Sequence, residues 1–191
     1  MIAFSRGGDN LLLSQRLFQP VAEILTFRTV TQTILHKRLH ITKLVTAIMG
    51  FTAHMERVDA VVMGRGTYDI ISHMRPWYYA KPVVVLSRSL CQGDIPEEIA
   101  DKVEVMNATP EEAMRNFATR GWARVYVDGG SVIKSFLRAG LISDLVISRL
   151  LVLIGDGISL FGPLEADLML EHEGTTAFAS GMVQSTYRIK R

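Results

Sequence analysis

Apolar runs and helical periodicities alternate along the chain from Phe51 onward. VDAVVM (residues 58–63) and PVVVLS (82–87) are valine-rich and apolar. This is the pattern of strands buried on both faces. VEVM (Val103–Met106) reads as a third strand and ARVYVD (Ala123–Asp128) as a fourth. DLVISRLLVLI (144–154) reads as a fifth. FTAHMER (51–57) has room for one or two helical turns. TYDIISHM (67–74) predicts a short helix that stops before Pro76. Thr109, Pro110 and Glu112 form a capping box with proline at the first helical position. The helix they open has Ala113, Met114, Phe117 and Ala118 on its apolar face. In SVIKSFLRAG (131–140), Val132/Phe136 and Ile133/Leu137 stand one turn apart, and Gly140 takes the position after the helix end. After Leu168 the helical patterns cease, and LMLEHEG and SGMVQSTYRI predict an antiparallel strand pair. Strands that alternate with helices predict a three-layer α/β fold. Its central sheet is mainly parallel, with helices on both faces and the antiparallel pair at the C-terminal end.

Residues 1–50 lack this punctuation. Six basic side chains there face only Asp9 and Glu23, while the whole chain carries +2. Three readings stay open. The segment is a native leading strand and helix, with MIAFS or KLVTAIM as the strand; or an arginine-rich targeting segment; or an altered start. The expectation is one domain over 1–191, with 1–50 atypical and 51–191 its recognisable core.

Composition narrows the function. A chain of 191 residues that is 48% hydrophobic and 21% charged builds a sizeable core. A net charge of +2 gives no ground for nucleic-acid binding. Cys91 is the single cysteine, so an internal disulfide is excluded and a thiolate metal site is not expected. No apolar run approaches the roughly 18 residues of a membrane span, and no secretory signal opens the chain. A cytoplasmic protein without membrane or nucleic-acid partners is the expectation. The five histidines show no metal-ligand spacing, so no metal is expected. There is no P-loop, no G-x-S-x-G and no P-C-x-x-C.

Ligands of such a sheet sit beyond the carboxyl ends of its strands. Three of those ends carry suggestive chemistry. In VDAVVMGRGTYDI, Gly64 lets a ligand approach the backbone, Arg65 adds a fixed cation, and Thr67 offers a helix cap or a hydroxyl for phosphate. In VDGGSVI, Gly129 and Gly130 leave room for a pyrophosphate, and Ser131 reads as a helix cap. In VVVLSRS, Ser87, Arg88 and Ser89 offer hydroxyls and a cation where a 2′-phosphate would lie, with no acid for a free ribose. Each loop alone is more often plain turn chemistry. The aromatic run Pro76-Trp77-Tyr78-Tyr79 reads either as a pocket wall for a flat ring or, by preference, as a hydrophobic plug.

Taken together, VVMGRGTYDI, KPVVVLSRS and VYVDGGSVIKSFLRAGLISDLVIS resemble the dihydrofolate-reductase-like superfamily, in the branch of the riboflavin-biosynthesis reductase domain. GDGISLFG is similar to that branch's Gly-x-Gly-x-x-Leu-Phe loop, and ASGMVQSTYRI to its last strand. The resemblance implies an NADPH-dependent reductase of a small heterocycle of pterin or pyrimidine type, commonly a homodimer. It implies that Gly64, Arg65 and Thr67 meet the adenine-side phosphates, and that Ser87 and Arg88 meet the 2′-phosphate. It assigns Gly129, Gly130, Ser131 and Val132 to the pyrophosphate and places the loop Gly155–Gly157 near the nicotinamide. No catalytic residue is identified. MIAFS or KLVTAIM could supply the family's first strand, but neither is followed by its Ser-x-Asp-Gly loop. No acid stands between Thr46 and Thr52, where the first helix of dihydrofolate reductases proper carries one; Glu56 is the nearest and is not expected to serve. Leu151 stands where proline is frequent. An alternative follows: a non-catalytic NADP-binding or dimeric scaffold with a degenerate substrate pocket.

Overall fold

The structure, a computed structural model, describes residues 21–26, 51–151 and 159–190. Eight strands form one sheet: β1 (Val21–Thr26), β2 (Ala60–Gly64), β3 (Val83–Leu86), β4 (Val103–Met106), β5 (Arg124–Asp128), β6 (Ile142–Arg149), β7 (Leu170–Ala177) and β8 (Val183–Ile189). Their order is β4-β3-β2-β5-β1-β6-β8-β7. The first six of that order run parallel, and β8 and β7 are antiparallel additions. The sheet is therefore the predicted one, at every strand expected from residue 51 onward.

The helices are α1 (Phe51–Glu56), α2 (Arg65–Ile71), α3 (Pro110–Thr119) and α4 (Gly130–Arg138). Alternate strand residues feed two cores. Ala60, Val62, Val84, Val125 and Val127 pack under Phe117 of α3 and Phe136 of α4. Val61, Met63, Val83, Val85 and Tyr126 pack under α1, α2 and Tyr79. The period-two alternation of a strand thus serves both faces at once, which is why β2 is buried at every position.

Local signals fix the helix ends. Thr109 Oγ1 accepts from the Glu112 amide at 3.3 Å, and the Thr109 amide donates to Glu112 Oε2 at 2.8 Å, closing the predicted box. Gly140 has φ +64°, its amide donates to Leu137 and that of Leu141 to Phe136, a Schellman ending. Two expected caps are absent. The N-caps of α2 and α4 are Gly64 and Gly129, without side-chain cap bonds, so Thr67 and Ser131 lie inside the first turns. β6 also differs: it begins at Ile142 and stops at Arg149, short of the expected apolar tail.

The unforeseen element is β1. VAEILT pairs in parallel with β5 on one side and β6 on the other, Ile24 standing opposite both Val127 and Leu145. These six residues form a strand, and the rest of residues 1–50 lies outside the described residues. Both segments weighed as the leading strand, MIAFS and KLVTAIM, lie outside the described residues.

Candidate functional site

β3, β2 and β5 are neighbours and parallel, so their carboxyl ends share one rim. Gly64 stands opposite Leu86 of β3, and Met63 opposite Asp128 of β5. The chain leaves β2 toward β3 and leaves β5 toward β6, on the far side of β1. The crevice between β2 and β5 is thus a point where successive connections diverge, the usual ligand position in such sheets.

The three loops touch. A Cβ on Gly64 would lie 2.9 Å from Val132 Cγ2 and 3.4 Å from Ser131 Oγ. Only glycine lets the end of β2 sit against the first turn of α4. Arg65 Nη1 donates to Ser89 Oγ at 2.9 Å, tying the β2 loop to the β3 loop, and Arg65 Nε lies 3.5 Å from Asp69 Oδ2. Gly64, Arg65, Ser87, Arg88, Gly129, Gly130, Ser131 and Val132 therefore belong to one rim.

Their roles within it differ. In α4 the first ladder bond runs from the Ile133 amide to Gly129 O at 2.9 Å. The amides of Gly130, Ser131 and Val132 precede it, as the open donors of a helix start. Gly129 takes φ +95°, which favours glycine, and a Cβ on Gly130 would meet nothing within 4 Å. The Val132 side chain is buried and packs in the core, so only its backbone faces the rim. Ser87 Oγ accepts from the amides of Ser89 at 3.2 Å and Leu90 at 3.0 Å, a tight turn that leaves Arg88 exposed. Arg88 has no ion pair or hydrogen bond among the described residues. Thr67 is only 3% exposed. Gly155–Gly157 lie outside the described residues.

The other wall of the crevice is aromatic. Tyr79 is buried and donates its hydroxyl to Asp128 Oδ2 at 2.8 Å. Tyr78 is 44% exposed and stands edge-on to Tyr79 at 4.8 Å and tilted to Phe51 at 5.5 Å. Trp77 meets Tyr79 edge-on at 6.3 Å. The aromatic run is thus plug and wall together: Tyr79 fills the core while Tyr78 stays open. Burial, then the nearby Asp128 charge, raises the Tyr78 hydroxyl above its ordinary range. The same causes in the same order raise Tyr79 much further. His54 packs edge-on against Tyr126 at 5.7 Å, and burial followed by Arg57 lowers its pKa to about 4. It is a neutral core histidine.

Asp128 was missed by sequence reasoning that attended only to the glycines after it. Its signal was available: a carboxylate closing an otherwise apolar strand, at the end where ligands bind. A separate hollow of about 360 Å³, lined by Pro76, Trp77, Tyr79, Lys81, Pro82 and Lys102 among others, opens at the opposite rim, where β3 and β4 begin. It lies away from the glycine loops and shares only the Trp77 and Tyr79 rings with the site. No helix among the described residues is long and apolar enough to cross a membrane.

Comparison with known proteins agrees with this architecture. A putative riboflavin biosynthesis protein from Shewanella sp. PV-4 superposes with a TM-score of 0.73 at 32% identity, over 91% of this chain and 99% of that one. A Thermotoga maritima diaminohydroxyphosphoribosylaminopyrimidine deaminase/5-amino-6-(5-phosphoribosylamino)uracil reductase shares the fold with a TM-score of 0.66 at 16% identity, over 93% of this chain and 58% of that one. The uncharacterized Bacillus subtilis protein YyaP is 26% identical over 153 residues, covering 73% of this chain and 78% of its own. The family model described as the RibD C-terminal domain matches residues 32–184. This chain, with its dihydrofolate-reductase-like sheet, belongs to the RibD C-terminal domain family.

Proposed function

We propose that the protein is an NADPH-dependent reductase that transfers hydride to a small heterocycle, of pyrimidine type before pterin type. The observation that carries the reading is the contact of three loops on one rim: Gly64 against Val132, and Arg65 bonded to Ser89. Membership of the RibD C-terminal domain family and the 32% identical riboflavin biosynthesis protein support a reductase of the pyrimidine class.

The residues fit a dinucleotide phosphate. The rim offers two exposed guanidinium groups, a helix start with open amides, and the cradle at Gly130. Gly129, Gly130, Ser131 and Val132 would hold the pyrophosphate through backbone amides. Gly64 and Arg65 would meet the adenine-side phosphates, with the buried Thr67 shaping their loop. Ser87 and Arg88 would take the 2′-phosphate, a charge-assisted contact that the unphosphorylated dinucleotide cannot make. NADPH, when bound, supplies the hydride. The chain would position the ring, with the half-exposed Tyr78 and its neighbour Phe51 as a flat wall. Members of this branch commonly pair, and a homodimer is the expected assembly.

The central strand β1 favours the enzyme over the non-catalytic alternative, a scaffold whose N-terminal third no longer builds a substrate pocket. Turnover separates the two readings. Purified protein with NADPH and a panel of ribosylaminopyrimidines, pterins and simple imines should lose nicotinamide absorbance with at least one ring. Tight NADPH binding with no turnover on any of them would establish the scaffold instead.

A further inference from the structure

We propose that the hollow where β3 and β4 begin is a second ligand site, one that takes a small planar aromatic ring bearing a carboxylate. The site is separate from the glycine rim and goes beyond the reductase reading.

Size and charge carry the first part of the inference. A volume of about 360 Å³ falls within the range of small-molecule sites. Two lysines stand in the wall, the half-buried Lys81 just before β3 and the exposed Lys102 just before β4. Neither ammonium group makes an ion pair or a hydrogen bond among the described residues. Asp101 is the one carboxylate of the lining; it is exposed and pairs with neither lysine. Two positive charges thus face the hollow against one negative. Arg75, close by in the chain, adds no open cation: it lies 3.7 Å from Glu98 and donates to the carbonyls of Ser72 and Met74.

The rest of the wall decides which kind of anion fits. It is made of the Trp77 and Tyr79 rings with Pro76, Ala80 and Pro82. A bare phosphate calls for guanidinium groups, hydroxyls or open amides. No guanidinium lines the hollow, the prolines have no N–H, and the Tyr79 hydroxyl is given to Asp128. Apolar walls beside two free ammonium groups suit a ligand with a flat apolar body and one charged end. The Trp77 Nε1 is buried and has no hydrogen-bond partner among the described residues, so it reports on the wall and is no contact for the ligand.

The test is an NMR titration of isotope-labelled protein with indole-3-carboxylate, read at the indole N–H resonances. The chain has two tryptophans. Trp122 packs on Phe117 in the other core and serves as the internal control. The expected result is saturable movement of the Trp77 resonance with Trp122 unmoved; a Trp77 resonance that stays still overturns the proposal. Lys81→Gln and Lys102→Gln should each weaken binding about threefold to fivefold, while Asp101→Asn should tighten it. These opposite signs separate a lost contact from a damaged fold, and three unchanged affinities would contradict the charge argument. Indole-3-carboxamide keeps the ring without the charge and should bind about fivefold more weakly. Inorganic phosphate keeps the charge without the ring and should leave Trp77 unmoved. Equal binding of the carboxamide, or a Trp77 shift with phosphate, would rule out an aromatic acid as the occupant. Saturating NADPH and Arg88→Ala should both leave the probe's affinity unchanged. Competition by NADPH, or loss of the shift in Arg88→Ala, would place the probe on the glycine rim and refute a second site. None of these readouts needs turnover, so they stand or fall apart from the reductase reading.

Discussion

The two ends of the sheet are built differently. At β2, β3 and β5 nearly every residue is buried, under helices on both faces. At β7 every residue is exposed or half-buried, and β8 has no fully buried position. Both ends are paired strand to strand, with one irregularity between His172 and Gly174 in the β7/β8 pair, so backbone pairing is not the main distinction. What differs is side-chain anchoring. The β7/β8 wing is joined through polar pairs: Thr175 to Ser185 at 2.8 Å, the His172 ring beside Tyr187, and Arg188 with Asp144 and Glu173. Such exposed pairs contribute little each. The rim that brings Arg65, Arg88 and the Gly129–Gly130 turn together is held by the packed end, where displacement of one strand would move every loop.

The contrast is broken most directly by truncation. Phe136→Ala, in the core under β5, should cost about 4 kcal/mol in chemical denaturation. His172→Ala, on the wing, should cost less than about 0.5 kcal/mol. Equal losses would show that the two ends share the burden of stability.

The next effect is in pH. His54 is buried at the packed end with a pKa of about 4, against 6.5 unfolded. Folded protein holds it neutral while the unfolded chain takes up a proton. Its contribution is therefore complete above pH 6.5 and is lost as pH falls toward 4, by about 3 kcal/mol in all. Denaturation midpoints of wild type should decline through that window, and His54→Gln should flatten the decline. An identical slope in the variant would assign it to other groups.

A smaller change sharpens the link between packing and the rim. Gly64→Ala places a methyl 2.9 Å from Val132 Cγ2 and should cost about 2 kcal/mol while pushing the start of α4 aside. NADPH affinity should fall as well. Lower stability with unaltered affinity would separate the glycine from the site.

How much of this could be read in the sequence follows the same division. The doubly buried strands announce themselves by unbroken valine runs, and α3 by its capping box, because local chemistry and tertiary position agree there. The rim followed from those assignments, since parallel strands deliver their carboxyl ends to one side. β1 did not announce itself. VAEILT is six residues with an acid among them, and only its place between β5 and β6 makes it central. The misread caps have a related cause: Thr67 and Ser131 look like cap residues, but the glycines before them take the turn. Tyr79 and Asp128 lie 49 residues apart, and no local pattern pairs a phenol with a carboxylate at that distance.

The central claim is that Arg88, released by the Ser87 turn, reads the 2′-phosphate on a rim shared with the α4 start. Calorimetric titration of wild type and Arg88→Ala with NADPH and with NADH tests it most directly. The account predicts that the substitution weakens NADPH tenfold or more and leaves NADH nearly unchanged. Equal weakening of both cofactors, or no heat from NADPH in wild type, would contradict it.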